Sequence, residues 1–184
     1  MKDVSAKRFL LTLAILSEVS LSQVATEKEL LQVDLGSGHL IVVAESENLV
    51  SLPLSLSARA DTPITRVQAE IHFPSQSLSF SRLSTTLEDL KLQATVAEDL
   101  EDVDQSRLLV VVEAERPDQL LHSEITVELE FKVSLYAPDG IIELPHVSEV
   151  YFAADDSRPP ERVEGQPGVI TIASPMVACF FYMH

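Results

Sequence analysis

The sequence predicts an all-β protein, an antiparallel β-sandwich of about nine strands with jelly-roll-like topology. The first reason is the strict alternation of apolar and polar residues over Ile64–Phe73, which is typical of a strand with one buried and one wet face. The second is the same alternation over Ser123–Leu135, the longest such run. The third is the recurrence of turn residues roughly every 8–15 positions. The residues predicted to share one core are Val67, Ala69, Ile71, Phe73, Val127, Leu129 and Phe131.

Three strands are predicted before the central run. Leu31–Leu35 and His39–Ala44 flank a turn signal at Gly36–Gly38. Leu49–Ala58 alternates clearly, but it contains Pro53. Because proline has no N–H for a ladder, we expect this strand at a sheet edge or on a bulge.

Pro74 is expected to end the central strand, and Leu78 and Phe80 then resume the alternation. A short helical turn is predicted over Thr85–Leu90, because Thr-Leu-Glu-Asp has the chemistry of a helix cap. The remaining strands are predicted at Lys91–Val96, Arg107–Ala114, Ser123–Leu135, His146–Ala153 and Gly168–Ile172.

Composition limits the class of protein and of partner. The 184 residues suffice for one domain with a substantial core, and the patterned 46% of hydrophobic residues is unlike a disordered chain. With 29 acidic and 13 basic residues the net charge is −16, which disfavours nucleic acids and anionic membranes as partners. Cys179 is the single cysteine, so it has no partner for an internal disulfide.

Both ends of the sequence differ from the middle. Basic residues precede the apolar run Phe9–Leu16, and small residues at Ser20 and Ser22 form a cleavage signal, so residues 1–22 are interpreted as a secretory signal peptide. The alternative is an amphipathic helix docked on the domain. Residues 23–174 would be the domain, secreted, periplasmic or at the cell surface. The apolar tail 175–184 is too short to span a membrane, and it either packs on the domain or begins something longer.

The search for catalytic chemistry finds no candidate, and we predict that the protein is not an enzyme and has no cofactor or metal. The five histidines have no metal-ligand spacing, and five glycines leave little room for a phosphate loop. The acidic stretches 98–104 and 155–156 could offer carboxylates to calcium, but neither has the spacing of an EF-hand. We interpret them as solvated loops.

Several motifs resemble those of bacterial cohesin domains, a family of β-sandwiches with a carbohydrate-binding-like fold. Ile64–Phe80 is similar to the family's long alternating strand, Pro-containing turn and Leu-x-aromatic step, with Phe73 where the family usually has Asp. Glu128–Ser134, followed by Pro138–Ile142, resembles its Phe-Lys-Val strand and the apolar strand after it. Gly168–Ile172 resembles its closing strand, so the resemblance covers about residues 31–173.

The resemblance implies a non-catalytic module that binds dockerin-type modules through one sheet face. It also implies that the strand at 64–73 lies beside the strand at 107–114. Within the latter strand, Leu108–Val112 is apolar throughout. Because alternate side chains of a strand point to opposite faces, one alternate set of these residues must face outward as an exposed apolar stripe. The alternative is that the tail, a loop or a second copy of the domain covers the stripe. Thr95 would extend the face. The predicted partner-binding residues are Arg66, Gln68, Glu70, His72, Lys91, Gln93, Leu109 and Val111.

Two other functions stay open at this point. Carbohydrate-binding modules share the sandwich architecture, but they stack sugars on exposed aromatic rings, and this sequence has no Trp and only three Tyr. A structural domain in a surface assembly would need no dedicated ligand. A homodimer is a further alternative.

Overall fold

The computed structural model describes residues 31–44, 46–98, 102–153 and 157–174, and these form twelve strands and no helix. The strands are β1 (Leu31–Leu35), β2 (Ser37–Ile41), β3 (Leu49–Ala58), β4 (Ile64–Pro74), β5 (Leu78–Ser84), β6 (Leu90–Glu98), β7 (Gln105–Ala114), β8 (Glu124–Val133), β9 (Gly140–Leu144), β10 (His146–Phe152), β11 (Glu161–Val163) and β12 (Gly168–Ala173). None of these residues belongs to a helix with the length and apolar character needed to cross a membrane.

The strands form three sheets, with the orders β1-β3-β8-β5, β11-β10-β4-β7-β6 and β2-β12-β9. The predicted all-β sandwich class is confirmed, with twelve strands instead of nine. One pairing departs from the antiparallel prediction, because β2 runs parallel to β12. The strand β11 is only three residues long, too short to show the alternation by which a strand is recognised in sequence.

The turn predicted at Gly36–Gly38 is wrong, because the chain continues in extended form and changes partner there. β1 pairs with β3, whereas β2 pairs with β12. At the change, Gly36 N donates to Pro53 O over 2.8 Å, and Gly36 O accepts from Val169 N over 3.1 Å. A Cβ on Gly36 would lie 2.6 Å from Pro53 Cγ, so the glycine permits close approach of two strands and does not form a turn.

The prediction that Pro53 marks an edge or a bulge is also wrong, since β3 lies between β1 and β8. Pro53 is tolerated there because β1 stops at Leu35, which lies opposite Leu54. In an antiparallel strand the N–H and C=O of one residue point the same way, and Pro53 O points at Gly36. The missing N–H therefore falls at the end of β1 and costs the sheet no ladder bond.

The helical turn predicted over Thr85–Leu90 is a non-helical turn in the structure. Thr85 Oγ1 accepts a hydrogen bond from Leu87 N at 3.3 Å and donates one to Thr126 O at 3.1 Å. A threonine hydroxyl stabilises a turn with the same local hydrogen bond that caps a helix, so the residue type alone does not separate the two structures.

One hydrophobic core fills the space between the sheets, and it contains all seven residues predicted to share it. Phe131 is fully buried at its centre. The rings of Phe73 and Phe80 meet it edge-on, with centroids 5.4 Å and 5.9 Å away. This arrangement joins β4, β5 and β8 through aromatic contacts in the geometry that ring quadrupoles prefer.

Candidate functional site

The residues predicted to bind a partner all lie on the outward side of the five-stranded sheet. In the register of β4 with β7, Gln68 lies opposite Val111 and Glu70 opposite Leu109. In the register of β7 with β6, Val111 lies opposite Gln93. Opposed residues of paired strands point to the same side of a sheet, so these side chains share one surface. We call it the outer face, and it comprises Arg66, Gln68, Glu70, His72, Lys91, Gln93, Thr95, Arg107, Leu109, Val111, Glu113, Val147, Glu149 and Tyr151.

The prediction that β7 presents an exposed apolar stripe is wrong. Leu109 and Val111 do point outward, while Leu108, Val110 and Val112 enter the core. However, Val111 is only 7% exposed and Leu109 is half-buried. The reason is that β7 is an inner strand, so each of its side chains has a neighbour on both sides. The outer face is therefore a mixed polar surface with an apolar centre.

At one end of the outer face, two cations share a carboxylate. Arg66 Nε lies 3.5 Å from Glu113 Oε1, and Lys91 Nζ lies 3.8 Å from Glu113 Oε2. Arg66 Nη2 also donates to Gln68 Oε1 over 2.8 Å. Its guanidinium carbon sits 5.1 Å from the centre of the Tyr151 ring. Arg66 is thus ordered in advance, which reduces the entropy cost of any contact it makes with a partner.

Tyr151 is fixed by a hydrogen bond of its own, because its hydroxyl donates to Glu149 Oε2 over 2.7 Å. This hydrogen bond raises the pKa of Tyr151, while the positive charge of Arg66 acts in the opposite direction with a smaller effect. The phenol is therefore a neutral hydroxyl at physiological pH, and its ring is held between β10 and β4.

The opposite end of the outer face carries a second group of charges. Glu70 Oε1 lies 3.1 Å from His72 Nε2 and 3.6 Å from Arg107 Nη1. These side chains are partly exposed, and such pairs contribute about 0–1 kcal/mol to stability. Since they hold the fold only weakly, a partner could exchange these contacts for its own at little cost.

Two open hollows flank this surface. One, of about 430 Å³, lies over Arg66, Glu113, Tyr151 and the neighbouring Arg116. The other, of about 330 Å³, lies over Gln68, Glu70, His72, Glu149 and Arg162. Charged and polar side chains line both hollows together with apolar atoms, a mixture suited to contacts with another protein.

Within the described residues, no group of three or more His, Cys, Asp and Glu side chains could hold a metal ion. The acidic stretches considered for calcium fall partly outside these residues, at 99–101 and 155–156. The signal-peptide region and the tail with Cys179 lie outside them as well.

Sequence reasoning missed several members of the outer face. Arg107 and Glu113 have the same parity as Leu109 and Val111, so the alternation of β7 contains the signal for them. Glu149 and Tyr151 carry no such signal, because they reach the face only through the pairing of β10 with β4.

The comparisons with known proteins concern the fold. No protein-family model matches the sequence, and no curated protein matches it. A cohesin module of a family 33 glycoside hydrolase from Clostridium perfringens has a TM-score of 0.54 and 8% identity, over 80% of this chain and 99% of that one. A type I cohesin–dockerin complex from Clostridium thermocellum has a TM-score of 0.55 and 13% identity, over 77% and 98%.

A third similar structure is the third cohesin of ScaC from Acetivibrio cellulolyticus, solved in complex with the ScaB dockerin. Its TM-score is 0.54 at 18% identity, over 78% of this chain and 99% of that one. All three structures are matched over nearly their whole length, although few of their residues are identical to those of this chain. The chain therefore has a cohesin-like fold.

Proposed function

We propose that this chain is a non-catalytic protein-binding module whose outer face receives a dockerin-type module. The observation that carries the proposal is the gathering of eight residues from β4, β6 and β7 on one surface of a cohesin-like sandwich. Similar cohesins are solved in complex with dockerins, which supports a protein as the partner. The proposed setting is outside the cytoplasm, as the signal-peptide pattern of residues 1–22 predicts.

The chemistry of the outer face suits a protein interface. Its centre is formed by the half-buried Leu109 and the buried Val111, and its rim carries amides and both signs of charge. Arginine and tyrosine are the residue types that most often dominate binding energy, and Arg66 and Tyr151 stand together at one end. The charge pairs on both sides of the centre can select a partner by complementarity.

The carbohydrate alternative gains no support from the described tyrosines. The Arg66 guanidinium lies over one face of the Tyr151 ring and competes there with a stacked sugar. Tyr136 is 94% exposed but lies in the loop after β8, at the opposite end of β4 from Arg66. The two rings therefore form no common platform.

The test is a binding measurement by calorimetry with a panel of dockerin modules. Leu109→Asp places a charge at the centre of the outer face, and we expect it to weaken binding by about tenfold or more. Thr126→Asp is the matched control. Thr126 points outward from β8, which is an inner strand of the four-stranded sheet, as β7 is of the five-stranded sheet. Its affinity should equal that of the wild type.

Two results would contradict the proposal. If the folded Leu109→Asp variant binds the same dockerin as tightly as the wild type, the outer face is not the binding site. If no dockerin of the panel binds the folded wild-type chain, the dockerin assignment fails.

A further inference from the structure

The strand β6 forms an open edge of the five-stranded sheet, since among the described residues it pairs only with β7. Proteins usually keep such edges short, bulged or charged, because an open edge invites pairing with another strand. The other edges of this protein follow the rule. β1, β2 and β9 have five residues each, β11 has three, and β5 is bulged between Phe80 and Arg82. In contrast, β6 has nine residues in unbroken register with β7 and contains no proline.

The backbone of β6 offers hydrogen bonds along its open side. Asp89 O accepts from Glu115 N over 2.8 Å, so the backbone groups of residue 89 point toward β7. In an antiparallel strand the N–H and C=O of one residue point the same way, and this direction alternates from residue to residue. Leu92, Ala94 and Val96 therefore direct their backbone groups away from β7, where no other strand of the described part of the chain meets them.

The same three residues carry apolar side chains on the inner side of the sheet. Leu92 lies opposite Val112 and packs against the core. Ala94 and Val96 have the same parity, but both are exposed, Val96 to 49%. No charged residue stands between Leu92 and Ala97, in a chain of which 23% is charged. A strand added beside β6 would therefore meet backbone groups and uncovered apolar side chains at the same positions.

Carboxylates flank β6 at both ends. They precede the strand, close it and follow it in the turn to β7, and they are Glu88, Asp89, Glu98, Asp102 and Asp104. The single cation of the strand, Lys91, points to the outer face and lies 3.8 Å from Glu113. An occupant of the edge should therefore bring positive charge to both of its ends. A second copy would bring carboxylates instead, because an antiparallel pair of β6 strands sets the start of one against the end of the other.

We propose that the open edge of β6 receives an extended segment of a partner protein, with apolar side chains at alternate positions and lysine or arginine at both ends. Main-chain hydrogen bonds to Leu92, Ala94 and Val96 supply affinity, and the alternate side chains and end charges supply specificity. The added strand also covers Val96. The site uses the backbone and the inner side of β6, whereas the outer face uses Lys91 and Gln93 on the opposite side. This proposal therefore does not depend on the proposed function.

The test uses the full chain and a synthetic peptide of alternating valine and threonine with two lysines at each end. Hydrogen exchange measured by NMR reports the contact directly. Saturating peptide should slow the exchange of the Leu92, Ala94 and Val96 amides by at least about tenfold. A peptide with glutamate in place of every lysine should bind at least about tenfold more weakly in calorimetry, because it meets like charges at both ends.

Two variants of β6 assign the binding to its edge. Ala94→Pro removes an N–H that points away from β7, so it should leave the circular dichroism unchanged and weaken binding of the lysine peptide by about tenfold or more. Val96→Lys places a cation on the inner side of the edge and should weaken binding in the same way. Val43→Lys is its matched control, because Val43 is 47% exposed and is held through Asn48 against β8 of the four-stranded sheet. It should bind the peptide as the wild type does.

Several results would overturn the proposal. The lysine peptide at about 1 mM could leave the exchange of the three amides unchanged, or bind no more tightly than the glutamate peptide. Equal binding by the wild type and by both folded β6 variants would exclude the edge as the site. Protection of the same amides that needs no peptide and grows with protein concentration would show that a second copy occupies the edge.

Discussion

At the scale of single residues, the core tolerates little chemical change because its members are completely enclosed. Ile71 is 0% exposed on β4 and lies between Leu108 on β7 and His146 on β10. An aspartate there would place a carboxylate in the core, among apolar side chains and the buried imidazole of His146. Ile71→Asp should therefore cost about 3–5 kcal/mol, much of the stability of a domain of this size.

The measurement is urea unfolding followed by circular dichroism, with Thr126→Asp as the control for an added carboxylate. The control should unfold within about 0.5 kcal/mol of the wild type, because Thr126 is exposed. An Ile71→Asp protein as stable as the control would contradict the single core.

Gly165 is required for a different reason, because two backbone segments lie too close together at this position to leave room for a side chain. A Cβ at this position would collide with the carbonyl oxygen of Val33. That carbonyl cannot move freely, because it also accepts a hydrogen bond from His146 Nε2 over 3.0 Å. Gly165→Ala should therefore destabilise the protein by about 3 kcal/mol, at the upper end of the cost of overpacking.

The comparison variant is Gly140→Ala. Gly140 has a φ of 140°, and a Cβ there would meet no atom within 4 Å, so only backbone strain opposes the change. We expect a loss of about 1 kcal/mol. The urea midpoints of the two variants separate the effect of the collision from that of backbone strain. Equal losses of stability in both variants would contradict the collision with Val33.

At the scale of elements, the turn before β6 is tied to the connection between β7 and β8 through Asp89. Asp89 Oδ2 lies 2.8 Å from His122 Nε2 and accepts from Gln119 Nε2 over 2.8 Å. Asp89 O accepts from Glu115 N over 2.8 Å. The hydrogen bond from His122 is the main cause of a lowered pKa of the Asp89 carboxyl.

This carboxyl should contribute to the acid stability of the protein. Because its pKa is lower in the folded state than the ordinary value of 3.8, its stabilising effect is complete above that ordinary value and disappears as the pH falls through the folded value. Asp89→Asn should therefore remove part of the dependence of stability on pH below about 5. Urea unfolding of both proteins between pH 3 and pH 7 measures the difference, and parallel curves would contradict the role of Asp89.

The strand β7 illustrates how an element and its neighbours together decide exposure. Its sequence shows that one set of alternate apolar side chains must point outward, but not that Gln68 and Gln93 stand on either side of Val111. The alternation is a property of one strand, whereas the exposed area of a side chain also depends on the two neighbouring strands. This is why an outward-facing apolar set on β7 was predictable and the burial of Val111 was not.

At the scale of the whole molecule, the first 22 residues are predicted to be removed on export. They carry three bases and two acids, so the mature chain would change from a net charge of −16 to −17. Sequencing the N-terminus of protein purified from the producing cell should begin at Gln23. Soluble cytoplasmic protein that begins with Met1 would reject the prediction.

Local alternation was enough to determine the all-β class, the inward residues of β4 and β8, and the outward residues of β4, because the period of two is a property of each strand. Apart from the pairing of β4 with β7, which the family resemblance implied, only the tertiary structure decided which strands meet. The change of partner at Gly36, the place of Pro53 inside a sheet, and the arrival of Glu149 and Tyr151 beside β4 all arise from pairings between distant segments. Such contacts leave no periodic trace in the sequence, because their partners are separated by tens of residues.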